Sequence, residues 1–326
     1  MPRHSSSPTS PRPISICGAT TARAGASKDS DKRKSSNLTR GVRLPMRPAH
    51  SLATRRSLAM RFLSIMIVLS AVLFAIGAAA SAAETDAASD KPLVVFLVNE
   101  EPDNYEAHRT IPEFAKELHE KHGFRCKVLQ GEGDFGAFRF PEFDVLKQAD
   151  LVVVFFRRCA LPKEQMALIR EHLKAGKPLV GIRTANHAFS TKVKVAEGHE
   201  MWWEFVPEVL GCENRGYGKE KLGVDAAVVA EVADHEILKG VDPQKWHSEG
   251  SLYLVKPLVD KKATVLLTGS AGGKTEPIAW TRMCDKSRVF YTSLGYPSDF
   301  DLPQCRRLLT NGIRWALNDK SEQTSK

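Results

Sequence analysis

The chain has 326 residues, of which 42 % are hydrophobic and 26 % charged, a composition that excludes a disordered or fibrous protein and allows a sizeable core. Its net charge of +9 is unevenly distributed, because the first 61 residues hold 13 basic and two acidic side chains and the remaining residues carry about −2. Nucleic-acid binding normally needs a basic face, so the near-neutral remainder excludes a nucleic-acid partner.

The N-terminal segment indicates export. Residues 1–61 are rich in Ser, Pro and Arg without apolar periodicity, which predicts a disordered basic extension. Residues 62–83 pass without a charge from apolar to small side chains, as a signal peptide with its cleavage site does. The length of the extension leads to the hypothesis that translation starts at Met46 or Met60. We expect a periplasmic or extracellular protein that meets the membrane only through its export signal. An uncleaved anchor is the alternative, since 18 apolar residues can just span a bilayer.

Residues 84–320 are predicted to form one α/β domain, followed by a short tail at 321–326. Its first half alternates continuous apolar strands with helices whose apolar residues lie three and four positions apart. In chain order these are a strand over 93–98, a helix over 109–122, strands over 125–130 and 151–156, a helix between Pro162 and Gly176 and a strand over 178–182. Such alternation is typical of a mostly parallel sheet with right-handed crossovers and helices on both faces.

The second half is less regular. It predicts a helix over 200–210, strands over 223–230, 263–268, 277–283 and 288–294, and a final helix that begins at Asp301 to Pro303. The whole is a mixed sheet, parallel in the centre and with hairpins toward one edge.

Two glycine-rich segments resemble nucleotide-binding motifs. Residues 131–136 are not followed by a helix, and residues 269–275 are better interpreted as a hairpin turn.

Polar side chains are concentrated after two predicted parallel strands. Ligands of open parallel sheets bind beyond the carboxyl ends of the strands, so residues 99–109 and 181–189 predict a site for a small polar ligand. The frame Gly181–Ala185 resembles a nucleophile elbow with Arg183 in the nucleophile position. Arginine has no lone pair with which to attack, which excludes covalent acyl chemistry there. Arg183 either holds an oxygen-rich group or pairs with a carboxylate such as Glu101.

Two further features lie close to this site in the sequence. His187 is a candidate general acid or base, with a structural histidine as the alternative. His199 precedes Trp202 and Trp203, of which one must face the core while the other can stack on a sugar, unless both simply pack. No trio of His, Cys, Asp or Glu has the spacing of a metal site, and we expect neither a metal nor a cofactor.

Four segments together resemble the ThuA-like, trehalose-utilisation domain, namely residues 178–189, 208–211, 250–253 and 288–296. The resemblance covers about 93–318. It implies a flavodoxin-like sheet similar to class I glutamine amidotransferases and a role in carbohydrate metabolism, with keto-sugars among the substrates. Those amidotransferases use a Cys at the elbow and a His in a late strand-end loop. Arg183 and Tyr296 occupy these positions, so glutamine hydrolysis is not expected.

The leading interpretation is an exported lyase, isomerase or hydrolase that acts on keto-glycosides. In it Arg183 anchors an oxygen-rich group and His187 or Glu101 moves a proton. The expected ligand is a small carbohydrate, and a homo-oligomer is left open. The alternative is a non-catalytic carbohydrate-binding or interaction module on the same fold. The candidate substrate-binding residues are Asn99, Tyr105, Asn186, His199, Trp202, Tyr217 and Tyr296.

Overall fold

A nine-stranded mixed sheet is the framework of the structure, a computed structural model that describes residues 90–218, 222–242 and 246–319. The predicted extension, signal peptide and C-terminal tail lie outside these residues. The elements in chain order are β1 (Leu93–Asn99), α1 (Ala107–His122), β2 (Arg125–Gly131), β3 (Leu151–Phe155), β4 (Leu161–Pro162), α2 (Lys163–Lys174), β5 (Leu179–Ile182), β6 (His199–Glu200), β7 (Val224–Val228), β8 (His247–Ser248), β9 (Thr264–Ala271), β10 (Lys274–Cys284), β11 (Ser287–Thr292) and α3 (Pro303–Leu317).

The strand order across the sheet is β2-β1-β3-β5-β11-β10-β9-β7-β8. The first five strands run parallel, and the four that follow β11 are antiparallel to their neighbours. β4 and β6 form a separate two-stranded pair. This arrangement confirms the predicted mixed sheet with hairpins toward one edge, and it confirms the turn between β9 and β10, where Gly272 and Gly273 have positive φ.

Helices cover both faces of the parallel strands. On one face α1 and α3 pack against alternate residues of β1, such as Phe96. On the other face Met166 and Ile169 of α2 pack with the intervening residues, such as Leu97. Every residue of β1 and β3 is buried, as the continuous apolar runs predicted. Among the described residues, no helix has both the length and the apolar character needed to cross a bilayer.

The predicted helix over 200–210 is wrong. Residues 199 and 200 form β6, and only Val206–Leu210 is helical, as a single π-helical turn. Pro207 lacks the backbone N–H that an α-helix would need in its interior, and its ring would clash with the preceding turn. The regular spacing of apolar residues here therefore reflects packing of an irregular segment rather than a helical face.

Candidate functional site

A cavity of about 440 Å³ lies at the carboxyl edge of the parallel strands, and we call it the strand-end cavity. The loops that follow β1, β3, β5 and β11 all contribute to it, as the sheet topology dictates. Its lining residues are Pro102, Asp103, Tyr105, Glu106, Arg157, Arg158, His187, Tyr217, Glu249, Ser251, Tyr296 and Pro297. The predicted location of the ligand site thus coincides with an actual cavity.

Arg183 lies directly behind the wall of this cavity. It follows β5 with φ of +42°, so the turn has the strained conformation of the elbow that its sequence frame resembles. Its side chain is 1 % exposed. The guanidinium carbon lies 4.0 Å from the centre of the Tyr105 ring, 4.9 Å from that of Tyr253 and 5.9 Å from that of Tyr296. Nη1 donates a hydrogen bond of 2.7 Å to the carbonyl of Ser293. The cation is therefore enclosed by aromatic rings.

This enclosure changes the expected role of Arg183. The residue is absent from the lining of the strand-end cavity and lies behind Tyr105 and Tyr296, which do line it. The alternative pairing with Glu101 is also wrong, since that carboxylate accepts a 3.1 Å hydrogen bond from Arg157. Arg157 forms a second ion pair of 2.8 Å with Asp103. Glu101 is held in an ion-pair cluster with Arg157 and is absent from the cavity lining.

All five tyrosines of the chain converge on this elbow. Three surround the guanidinium, Tyr291 donates its hydroxyl to the carbonyl of Arg183 at 2.8 Å, and the ring of Tyr217 lies 4.8 Å from that of Tyr253. Burial raises the pKa of Tyr105, but the positive charge of Arg183 and hydrogen bonding to it outweigh burial and lower that pKa below 10. Burial raises the pKa of Tyr253 well above its usual value. Tyr105 is therefore the easier of the two to ionise, and it lines the cavity.

His187 is a neutral imidazole at physiological pH. Burial, reinforced by the charge of Arg158, lowers its pKa to about 3. Its Nδ1 lies 2.5 Å from the side-chain oxygen of Asn186 and 3.3 Å from the amide nitrogen of Asn214. The ring centre lies 6.2 Å from that of Tyr217. A histidine with so low a pKa is a weak base. Its position suits hydrogen bonding to a ligand better than proton abstraction.

One buried asparagine, Asn104, ties three strand-end loops together. Its amide nitrogen donates 3.0 Å hydrogen bonds to the carbonyls of Asn99 and Phe155, and its oxygen accepts one of 2.7 Å from Thr184. Asn99 itself is buried, and its side-chain oxygen accepts from the backbone N–H of Arg157. Asn99 therefore fixes the loops after β1 and β3 and does not line the cavity. Sequence reasoning included Asn104 in a polar segment without recognising this role.

The remaining candidates divide between the cavity and its surroundings. Tyr217 and Tyr296 line the strand-end cavity, whereas His199 pairs with Pro162 between β6 and β4, away from it. The Trp202 ring packs 6.1 Å from that of Phe189, with Phe205 and Arg170 also against it. That indole is therefore half-buried among protein side chains. Asn186 and Trp202 belong to a second, adjoining cavity.

Arg158 is the residue that sequence reasoning missed. It follows β3, has φ of +58° and lines both the strand-end cavity and the adjoining one. Among the described residues, no acidic side chain forms an ion pair with it. The rule that ligands bind at strand ends applies equally to β3 and would have identified Arg158.

Within the described ranges, seven residues other than glycine have positive φ, and four of them are at this site, namely Tyr105, Glu106, Arg158 and Arg183. Strain of this kind is typical of functional sites.

In the part of the chain that the structure describes, no three His, Cys, Asp or Glu side chains come together as metal ligands. The strand-end cavity is lined by three phenols, one imidazole, the two guanidinium groups of Arg157 and Arg158, and the carboxylates of Asp103, Glu106 and Glu249. These groups bind and polarise oxygen and move protons.

Comparison with known proteins identifies the family of the chain. The family model ThuA, described as trehalose utilisation, matches residues 94–316. The fold is similar to that of a ThuA-like protein from Parabacteroides merdae ATCC 43184, at 16 % identity and a TM-score of 0.51, covering 71 % of this chain and 91 % of that one. A cytoplasmic protein from Salmonella typhimurium LT2 matches at 13 % identity and a TM-score of 0.45, covering 68 % and 99 %. No curated protein matches the chain.

Proposed function

The chain belongs to the ThuA family of trehalose utilisation, which has a glutamine amidotransferase-like fold, and we propose that it is an enzyme acting on a keto-sugar. The observation that carries the proposal is the contact between Tyr105, in the wall of the strand-end cavity, and the buried guanidinium of Arg183. A fixed positive charge beside a phenol favours the phenolate, and a phenolate is a base. Arginine at the elbow leaves no nucleophile there, so the chemistry is non-covalent.

The proposed step is removal of a proton from the carbon next to the ketone. The phenolate of Tyr105 takes the proton, the C–H electron pair forms a carbon–carbon double bond, and the carbonyl electrons move onto oxygen to give an enolate. Arg158 stabilises that oxygen, because it is a cation in the cavity wall without an acidic partner among the described residues. Arg183 is a positioning residue that holds the phenolate, and neutral His187 binds a hydroxyl of the sugar.

Exchange of hydrogen for deuterium tests this step directly. The protein is incubated in D₂O with trehalose oxidised to a ketone on one ring, and deuterium uptake is followed by NMR. Wild type is expected to exchange the hydrogen next to the ketone, and Tyr105→Phe to exchange it about 10²- to 10⁴-fold more slowly, the usual contribution of a general base. Unchanged exchange by Tyr105→Phe contradicts the assignment. A sugar that raises the melting temperature of wild type without any exchange indicates the non-catalytic binding module instead.

We also propose that the protein is exported by a signal peptide at residues 62–83, a segment outside the described residues. The support is its uncharged run from apolar to small side chains after a basic segment. N-terminal sequencing of the protein recovered from its native cells is expected to give a start near residue 84. A sequence that begins at Met1 contradicts both the signal peptide and the later start site.

A further inference from the structure

A second cavity of about 360 Å³ adjoins the strand-end cavity, and we call it the Lys192 cavity. Arg158 and His187 line both cavities, so these two residues stand at the boundary between them. Arg158 is fixed there, because its backbone N–H donates a 3.0 Å hydrogen bond to the carbonyl of His187. The volume of the Lys192 cavity lies in the range of about 300–1,000 Å³ typical of small-molecule sites. A ligand in the strand-end cavity therefore has room to extend a substituent past Arg158.

The Lys192 cavity carries an excess of positive charge. Arg158 and Lys192 both line it, and within the described ranges neither forms an ion pair with an acidic side chain. Glu213 also lines it, but its carboxylate lies 2.8 Å from Nη2 of Arg215, which neutralises it. His187 adds no charge at physiological pH, because burial and the charge of Arg158 lower its pKa to about 3. Two cations without counter-ions thus face one cavity, and an anionic group would pair with both.

A buried amide adds a directional donor to these charges. Asn186 lines the cavity and is 1 % exposed, and its side-chain nitrogen has no hydrogen-bond acceptor in the part of the chain that the structure describes. The oxygen of the same amide lies 2.5 Å from Nδ1 of His187, so the nitrogen is the atom left without a partner. A buried donor without an acceptor is costly. A charged acceptor relieves that cost best, since hydrogen bonds to ionised groups are about twice as strong as those between neutral groups.

The rest of the lining is largely apolar. It includes Phe189, Val206, Pro207 and the indoles of half-buried Trp202 and of Trp203, which is 56 % exposed. Apolar walls with a few convergent polar groups are typical of sites for organic ligands. The cavity therefore suits an anionic group attached to a carbon skeleton better than a free inorganic ion.

We propose that the Lys192 cavity binds the anionic group, a carboxylate or a phosphate monoester, of an organic ligand whose remaining part lies in the strand-end cavity. Lys192, Arg158 and Asn186 donate to the anionic oxygens. The guanidinium of Arg158 has five N–H donors, so it binds this group on one side of the boundary and an enolate oxygen on the other. The inference rests on the proposed function for placing a keto-sugar in the strand-end cavity, and it adds the substrate class, a sugar acid or a sugar phosphate.

Calorimetry with three sugars that differ in one substituent tests the anion site. Glucose, glucuronate and glucose 6-phosphate carry a hydroxyl, a carboxylate and a phosphate at the same position. We expect wild type to bind at least one of the two anions about tenfold more tightly than glucose, the lower range of a hydrogen bond to a charged group. The anion that binds more tightly decides between a sugar acid and a sugar phosphate.

Charge reversal at two neighbouring lysines separates a built site from general attraction. Lys192→Glu should lower the affinity for the anions about tenfold, because an attraction is lost and a repulsion is added, and should leave the affinity for glucose unchanged. Lys194→Glu is the matched control, since Lys194 is also exposed but lines neither cavity. It should leave all three affinities near those of wild type. Lys192→Arg keeps the charge and is expected to retain most of the anion affinity.

The outcomes separate this inference from the proposed function. Wild type that binds neither anion more tightly than glucose, or a loss in Lys192→Glu no larger than that in Lys194→Glu, would overturn the anion site. Deuterium exchange that depends on Tyr105 is a separate measurement. Exchange by wild type without an anion advantage refutes the anion site alone, whereas an anion advantage that depends on Lys192, without exchange, refutes the catalytic step alone.

Discussion

Replacement of Gly250 by alanine is the sharpest test of the enclosed guanidinium. A Cβ at residue 250 would lie 2.6 Å from both Nη1 and Nη2 of Arg183 and 2.7 Å from Cζ. Because the φ of Gly250 is one that alanine also adopts, the substitution adds only the methyl group. The perturbation therefore acts on the position of the cation and not on the backbone.

The surroundings of Arg183 decide how much this methyl group costs. Non-bonded atoms prefer a separation of about 3.5 Å, so the guanidinium would have to move by about 1 Å. Tyr105 and Tyr253 block it on two sides. The Gly250 loop cannot retreat freely either, since Ser248 donates a 2.9 Å hydrogen bond to Asp299 and in turn accepts from the Gly250 N–H. Overpacking of this kind costs about 1–3 kcal/mol. At about 2–4 °C per kcal/mol, the melting temperature should fall by about 2–12 °C.

Two measurements together check this prediction. Thermal unfolding of Gly250→Ala should show the loss of stability, and ultraviolet titration should show that the pKa of Tyr105 has moved upward, because its cation has been displaced. Gly218→Ala is the matched control. Its added Cβ would meet nothing closer than the carbonyl oxygen of Leu252 at 3.7 Å, so neither quantity should change. A Gly250→Ala protein with the wild-type melting temperature and tyrosine titration would refute the enclosure.

Two further predictions concern the loops and the buried histidines. Asn104→Ala should cost about 1–3 kcal/mol for each buried group that it leaves unpaired and should slow deuterium exchange. Asn311→Ala is the control, because it removes donors to two carbonyls outside the site and should lower only the urea midpoint of unfolding. An equal loss of deuterium exchange in both variants would argue against a role for Asn104 in the site. Burial lowers the pKa values of His187 and His172 to about 3 and 4, below the unfolded value of 6.5. As the pH falls below 6.5, the two histidines are therefore protonated in the unfolded chain before they are protonated in the folded one. The free energy of unfolding, at its full value above pH 6.5, should accordingly decline as the pH falls toward 3–4. His172→Asn should make the decline shallower in urea titrations, and an unchanged slope would contradict the linkage.

The location of the site was predictable because it depends on local features. Strand ends can be read from apolar runs, and the frame Gly181–Ala185 places Arg183 at a turn irrespective of the rest of the chain. The neighbours of that residue were not predictable in this way. Gly250 and Tyr253 lie about 70 positions further along the chain, and nothing in their own sequence context indicates contact with Arg183. Pairing over such separations is decided by packing of the whole domain.

The assignment of Trp202 shows where periodicity misleads. The spacing of Trp202, Val206 and Leu210 predicted one helical face, and on that basis one tryptophan had to point to the core. Pro207 prevents the regular helix, yet Trp202 still packs against Phe189 and Phe205. The division between a packed and an exposed tryptophan survived although the helix did not.

The unfavourable features of this structure are concentrated at one strand end, which is an argument for a ligand rather than for a structural role. Residues other than glycine in left-handed conformation cost about 1–3 kcal/mol each; three of them line one cavity and a fourth, Arg183, lies behind its wall. Arg183 adds a buried charge that is enclosed by tyrosine rings and, among the described residues, forms no ion pair with an acidic side chain. An apolar side chain of similar volume would tie the loops together at lower cost. A cation in that position is therefore best explained by its lowering of the pKa of Tyr105, and the strain by the need to hold that phenol facing the cavity.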